Sequence, residues 1–508
     1  MSLRIKAAVL LVIGVLFLSA CTQSAPGTQP WLLNTATALP ASLDQQNSAR
    51  SLIPTARPAD AAYLTPTPDA AHVNSTLTAD SSQYTVKDGD TLDSIAATHY
   101  LDTSALASAN GLDVSASVST GQILTIPAPA NLVPTSSFKI IPDSELVYGP
   151  VSSTLDVAAF VQSRGGYLSR YSEEYDGITY TGAQMVATLA KEYSVNPRLL
   201  LALLEYQSGW VTQSQPPDQV VTYPMGLIDE TRQGLYKQLS WAANTLNYGF
   251  YTWQVNALSP VRLSDGSLVT YPSDINAGTA SLQYFFAVIS DSAGWTNSVS
   301  ENGFYAAYAR FFGIPFDLAV EPLLPANLSQ PVMQLPFESG DAWSLTGGPH
   351  SAWGSGSAWA ALDFAPPGDQ YGCYETNTWE VAVADGVIAR SENGEVVLDL
   401  DGDGLEQTGW TVLYMHVASA DRIQLGARVK AGDHIGHPSC EGGVSNGTHL
   451  HLARRYNGVW IAADTNLPFN LDGWISAGSG NEYDGTLTRN GQTVTAWDGR
   501  IADNQIQR

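Results

Sequence analysis

At 508 residues the chain is too long for one hydrophobic core, and its length predicts about three domains. Hydrophobic residues make up 44% and charged residues 14%, which implies globular units with an uncharged, Ser/Thr-rich surface. The formal net charge of −25 repels phosphate backbones and argues against nucleic acid as a partner.

Residues 1–20 read as an export signal. Arg4 and Lys6 supply a positive region and Ala7 to Phe17 an apolar run too short for a comfortable membrane span. Residues 21–82 hold Ser, Thr, Ala, Pro and Gln with little apolar periodicity, the composition of a disordered tether. Residues 83–127 read as a compact unit. Alternation at Tyr84 and Val86 predicts a strand, Gly89 a turn, and Asp90 or Thr91 a cap for a helix carrying Leu92, Ile95 and Ala96. A second short helix over Thr103 to Asn110 and a closing strand complete it. Residues 140–325 are predicted mainly helical. Met185, Val186, Leu189 and Tyr193 share a helix face, and Asn196 with Pro197 opens the next helix. Residues 330–498 alternate with period two between Gly-rich turns, which predicts mainly antiparallel sheet.

Three of these segments resemble known modules. Leu18-Ser19-Ala20-Cys21 resembles a bacterial lipobox, which implies cleavage before Cys21, lipid on its sulfur, and a protein anchored to the cell envelope facing the wall. Tyr84-Thr85-Val86-Lys87-Asp88-Gly89-Asp90-Thr91-Leu92, closing with Gly121-Gln122-Ile123-Leu124-Thr125-Ile126-Pro127, resembles a LysM module. That resemblance implies a βααβ fold and binding to peptidoglycan glycan strands. The helix ending Glu205-Tyr206-Gln207-Ser208-Gly209 resembles the active-site helix of lysozyme-like lytic transglycosylases, with Met225-Gly226-Leu227 and Ile275 to Leu282 extending the likeness. Those enzymes carry Glu just before the Ser-Gly pair, where this chain has Gln207. A neutral amide cannot act as the general acid. Glu205 lies about 200° round the helix from Gln207, so the 140–325 unit is expected to be non-catalytic, a glycan groove or a spacer.

The metal-type chemistry concentrates in the last segment. Five of the eight histidines fall between His416 and His451, and His350 is a sixth in the same unit. In Asn446-Gly447-Thr448-His449-Leu450-His451-Leu452, alternation marks a half-buried strand whose two imidazoles share a face. Val412 to Val417 is another strand, with His416 in it, and His350 sits in a Gly-Pro turn. His434 and His437, in a Gly-rich loop, are expected at the surface, while His72 and His99 fall outside the unit.

Gly347-Gly348-Pro349-His350, Asp363 thirteen residues on, His416 and His449-Leu450-His451 together resemble the lysostaphin-type zinc endopeptidases of the beta-lytic branch. The commoner pattern in that wider family puts the first His four residues before the Asp, where this chain has Trp359. The resemblance implies one Zn²⁺ held by His350, Asp363 and His451, with His416 and His449 handling protons and the oxyanion. It implies hydrolysis of cell-wall peptides. A non-enzymatic wall-binding or regulatory lipoprotein and a glycan-cleaving middle domain are the competing classes.

Of three cysteines, Cys21 belongs to the anchor. Cys373 and Cys440 remain, an even pair that either closes a disulfide or stays as two buried thiols. Asp399, Asp401 and Asp403 resemble the start of a Ca²⁺ loop, but the twelfth position is Trp410 and not Glu, so an acidic hairpin turn is the preferred reading and a structural Ca²⁺ the alternative. The expectation is a multidomain α+β chain with peptidoglycan strands and peptides as partners and the membrane engaged through lipid.

Overall fold

The structure, a computed structural model, describes His72, residues 81–129 and residues 131–508. The signal, Cys21 and nearly all of the tether lie outside the described residues. Among the described residues no helix is long and apolar enough to cross a membrane.

The first unit is β1 (Ser82–Thr85), α1 (Leu92–Thr98), α2 (Thr103–Ala109) and β2 (Ile123–Ile126), with β1 and β2 antiparallel. Thr91 supplies the cap of α1, its side chain accepting from Ser94 N while Ser94 Oγ accepts from Thr91 N. Val86, Leu92, Ile95, Leu106, Leu124 and Ile126 close a small separate core.

The middle unit is helical. In chain order it contains α3 (Val157–Arg164), the hairpin β3 (Ser172–Tyr175) and β4 (Ile178–Thr181), α4 (Gly182–Tyr193), α5 (Pro197–Ser208) and α6 (Asp218–Thr222). Next come α7 (Leu235–Gln254), the two-residue strands β5 (Val261–Arg262) and β6 (Leu268–Val269), α8 (Ala277–Ile289), α9 (Ser292–Ser298) and α10 (Ala306–Phe312). Asn196 caps α5 by accepting from Arg198 N, with Pro197 at the first turn. Leu199 to Leu204 are all fully buried, so α5 is the central helix, apolar all round.

The C-terminal unit is built on one nine-stranded antiparallel sheet. Its strands are β7 (Ala342–His350), β8 (Ala361–Ala365), β10 (Gly386–Glu392), β11 (Glu395–Asp399), β12 (Trp410–Met415), β13 (Arg428–Val429), β15 (Leu450–Tyr456), β16 (Val459–Trp460) and β21 (Gln505–Gln507). The order is β13-β10-β11-β12-β15-β8-β7-β21, with β16 hairpinned onto β15. A two-stranded pair, β9 (Glu380–Val381) and β14 (His434–Gly436), flanks it. A four-stranded sheet, β17 (Asn470–Leu471), β18 (Trp474–Gly478), β19 (Gly485–Arg489) and β20 (Gln492–Thr495), closes against β7. β21 lies past residue 498, so the chain end belongs to the main sheet, pairing Ile506 with Trp343.

Alternation sorts the sheet's two faces. Val396, Leu398, Val412, Tyr414, Leu450 and Leu452 point into the unit's own core. Val397, Leu413, Met415, Ala453 and Trp460 point the other way and merge with the core of the helical unit. Both faces are therefore covered, which is why β11, β12 and β15 are buried at nearly every position. Polar contacts fix the docking. Ser194 Oγ donates to Gly458 O at 2.7 Å, Trp460 N to the Tyr251 hydroxyl at 3.0 Å and Gly356 N to Asn244 Oδ1 at 2.8 Å. Gly458 has φ +81°, and a Cβ there would meet Tyr148 O at 2.5 Å, so only glycine lets the two backbones approach.

Arg455 crosses this seam. Its guanidinium donates to Glu406 at 2.8 Å and reaches Ser194 Oγ at 3.3 Å, and it is almost wholly buried. Arg455→Ala strands the Glu406 carboxylate with only Arg390 beside it. Removal of one partner of a buried pair typically costs about 3–5 kcal/mol, so the unfolding free energy of the variant is expected to fall by that amount, read as a lower urea midpoint. An unchanged midpoint would mean the seam does not contribute to stability.

Candidate metal centre

Strand register assembles the centre. Asp363 on β8 lies directly opposite His451 on β15. Directly opposed residues in an antiparallel pair share a face. His350 ends β7, on the other side of β8, after two register shifts between Leu345 and His350. It is part of a strand and not, as the sequence implied, of an isolated Gly-Pro turn. The three side chains converge: His350 Nε2 is 3.0 Å from His451 Nδ1 and 3.2 Å from Asp363 Oδ1, and His451 Nδ1 is 3.1 Å from the same oxygen.

Gly347 and Gly348 have separate tasks. A Cβ on Gly347 would lie 2.8 Å from Asp363 Oδ2, so its hydrogen leaves room for the carboxylate. A Cβ on Gly348 would lie 2.7 Å from Gly485 N, so that glycine lets the smaller sheet close against β7.

The outer ring nitrogens fix the tautomers. His350 Nδ1 donates to Gly348 O at 2.8 Å, and His451 Nε2 donates to Ala352 O at 3.0 Å. Carbonyls only accept, so His350 Nε2 and His451 Nδ1 turn lone pairs towards each other and towards the carboxylate. Electron-pair donors so close, and buried, repel unless a cation lies among them. Burial pulls the pKa of His350 down most strongly of any single cause, but the charge and hydrogen bond of Asp363, with the Gly348 carbonyl and the Glu482 charge, together hold the imidazole above its ordinary value. Burial acts to raise Asp363, yet the neighbouring imidazoles hold it well below the usual carboxylate range. Two imidazole nitrogens and one carboxylate oxygen are a zinc donor set that leaves a fourth position open.

His416 and His449 stand beside this triad, their ring centroids 4.5 Å apart. His416 comes one residue after β12, not within it, at φ +70°, a region that non-glycine residues seldom occupy. Ser439 holds it there, donating to the His416 carbonyl from both N and Oγ at 2.7 and 2.8 Å. His416 Nδ1 donates to Glu441 O at 3.1 Å, and His449 Nδ1 to Gly447 O at 2.7 Å. Each keeps Nε2 free of those backbone bonds, and that of His449 is 3.7 Å from Asp363 Oδ1. Burial, with His449 and His451 nearby, lowers the pKa of His416 to about 3, so it is neutral.

Two further contacts carry no sequence signature. The Tyr483 ring stacks on His350 with centroids 4.3 Å apart. Glu482 accepts from Ser351 N and Oγ on the next turn of chain. Both come from the loop before β19 and meet the centre only because the smaller sheet closes there.

The remaining candidates lie elsewhere. His434 is exposed in β14, but His437 is buried, correcting its expected surface position. The two rings cover Trp379 at 4.0 and 3.8 Å. Asp399, Asp401 and Asp403 bring carboxylate oxygens within 4.8 Å of one another, at the far end of β11 and β12 from His416. Asp399 accepts from the backbone of Asp401, Gly402 and Gly404, as an acidic turn does. In the helical unit Gln207 faces Gly226, and Glu205 turns away to Thr212.

Residues 374–463 match the family described as peptidase family M23, residues 84–127 the LysM domain, and residues 139–326 the N-terminal domain of LasA. The C-terminal unit is an M23 metallopeptidase domain. The chain is 27% identical over 348 residues to Protease LasA of Pseudomonas aeruginosa strain PAO1, covering 63% of this chain and 74% of that one. It is 26% identical, over the same lengths, to Protease LasA of strain UCBPP-PA14. The solved M23 metalloprotease pseudoalterin, from the deep sea, is 26% identical, with a TM-score of 0.29, covering 36% of this chain and all of that one. The M23 match contains His416, His449 and His451, whereas His350 and Asp363 precede it and join the centre by geometry.

The cysteines close a disulfide between Cys373 and Cys440, with S–S 2.09 Å and Cα–Cα 5.7 Å. It ties the loop after β8 to the segment before His449, where Thr448 N also donates to Gly372 O at 3.0 Å. Alkylation of the denatured, unreduced protein is expected to label neither cysteine. Cys373→Ser with Cys440→Ser is expected to lower stability by about 2–5 kcal/mol. Labelling of both cysteines without reductant would show the bridge is absent.

Proposed function

We propose that this protein is an exported zinc endopeptidase that hydrolyses peptide amide bonds in peptidoglycan. The observation that carries the reading is the buried convergence of His350 Nε2, His451 Nδ1 and Asp363 Oδ1 in an M23 domain, with two further imidazoles beside them. His350, Asp363 and His451 would hold the zinc. The ion, when bound, acidifies water and polarises a scissile carbonyl.

The rest of the chemistry falls to this chain's own groups. His416 and His449 each have Nδ1 committed to a backbone carbonyl, so proton exchange is left to Nε2. One neutral ring takes the proton of the attacking water on Nε2, and the other, when its ring carries a proton on both nitrogens, donates from Nε2 to the carbonyl oxygen as it gains charge or to the departing amine. The LysM match and the LasA likeness support cell wall as the place of action. Leu18-Ser19-Ala20-Cys21 supports an envelope lipid anchor at Cys21. The amide of Gln207, in place of a carboxylic acid, supports a middle unit without glycan-cleaving chemistry.

Ligands and proton-transfer groups are expected to separate on mutation. His350→Ala, Asp363→Ala and His451→Ala should lose zinc and activity together. His416→Ala and His449→Ala should keep zinc and lose about 10²–10⁴-fold in rate. Elemental analysis beside digestion of purified wall, with fragments identified by mass, checks all five. Full zinc in His350→Ala would remove it from the ligand set.

Gly347→Ala tests the supporting shell. The added methyl needs the space of the Asp363 carboxylate, so zinc affinity is expected to fall about 10–100-fold, as for other lost supporting contacts. Competition with a chelator measures it, and an unchanged affinity would show that Asp363 has room to move.

A further inference from the structure

A cavity of about 370 Å³ opens in the helical unit, away from the metal centre. It lies between the end of α5, the Gln213 loop and the start of α10, lined by Glu205, Gln213, Asn302, Gly303, Ala306 and Arg310. None of these residues has a part in the chemistry described above.

Its construction is specific. The Glu205 side chain is only 6% exposed, and its carboxylate is fixed by Thr212 N at 3.0 Å and Thr212 Oγ1 at 2.6 Å. Arg310, whose side chain is 61% exposed, reaches the same carboxylate at 3.3 Å. Gly303 breaks the helical turn with ψ −127°, and a Cβ there would fall 2.1 Å from Asn297 O. Backbone and small side chains thus make up that part of the wall, and the cavity stays open.

We propose that this cavity is a saccharide-binding site that takes one uncharged N-acetylated sugar unit. The Glu205–Arg310 pair is neutral overall, so the cavity wall carries no net charge to favour a peptide ammonium or carboxylate. Hydroxyl groups instead add hydrogen bonds to both partners without displacing either. Gln213 and Asn302 each offer an amide donor and acceptor, the complement of an acetamido group, and Ala306 and Ala307 leave room for its methyl. The volume accommodates one such unit with part of the next. The inference rests on the reading of the chain as a wall enzyme, and it gives the protein a glycan contact separate from the LysM unit. Linked contacts on one strand raise the effective concentration of substrate at the peptidase domain.

The test titrates the full chain with the tetramer of N-acetylglucosamine by calorimetry. Ala306→Trp places an indole in the opening from an exposed position, and Asn302→Ala removes one amide. Saccharide stoichiometry is expected to fall by one per chain in Ala306→Trp. Asn302→Ala should weaken that one site about 5- to 10-fold. An unchanged melting midpoint in both variants verifies folding. Equal stoichiometry and affinity in wild type and Ala306→Trp would overturn the proposal. So would loss of stem-peptide binding in Ala306→Trp with sugar binding intact, which assigns the cavity to peptide. Hydrolysis of a short wall peptide is scored separately: its absence in wild type defeats the endopeptidase reading, while the stoichiometry still decides the cavity.

Discussion

A carboxylate buried among imidazoles is the constraint on which the C-terminal unit turns. Asp363 is largely buried, so its charge must be met by groups held at fixed distance. Three devices hold them: the β8–β15 register, which sets Asp363 opposite His451; the end of β7, which brings in His350; and Gly347, which vacates the space the carboxylate fills. The outer nitrogens of both imidazoles are then tied to backbone carbonyls, so the inner lone pairs have one direction available. Rigid strands make such a site precise, because a strand that shifts by one residue exchanges its two faces and would turn His451 away from Asp363 into the core.

The sheet is able to carry these polar groups because it is covered on both sides. One face closes on its own core, and the other carries the metal-centre residues at one end and receives the helical unit over the rest. The seam is a merged hydrophobic core crossed by Arg455 and by the close approach of Gly458 to Tyr148. The two units are therefore one packing problem, and the loop after His350 is shaped by both. Its Gly356 N is held by Asn244 of the helical unit, while the Ala352 carbonyl orients His451.

Much of this was legible in the chain. Period-two alternation around His449 and His451 marked a strand with its imidazoles on one face, and Leu450 and Leu452 do face the core. The Thr91 and Asn196 caps were readable because capping is local: a side chain satisfies an amide two or three residues away. The Gly-Gly-x-His motif was visible as a pattern, but its two glycines touch Asp363 and Gly485, contacts that pattern alone does not contain.

What only the tertiary structure decided is whatever depends on residues distant in sequence. It decided between a disulfide and two thiols for Cys373 and Cys440, brought Tyr483 onto His350, buried His437 against Trp379 and returned the chain end to the sheet as β21. Sequence determined the element types and the chemistry on offer, because periodicity and capping are properties of near neighbours and the donor atoms are properties of the residue itself. Structure determined which groups meet, because the register of a ladder and the burial of a charge are fixed by the whole sheet and by what packs upon it.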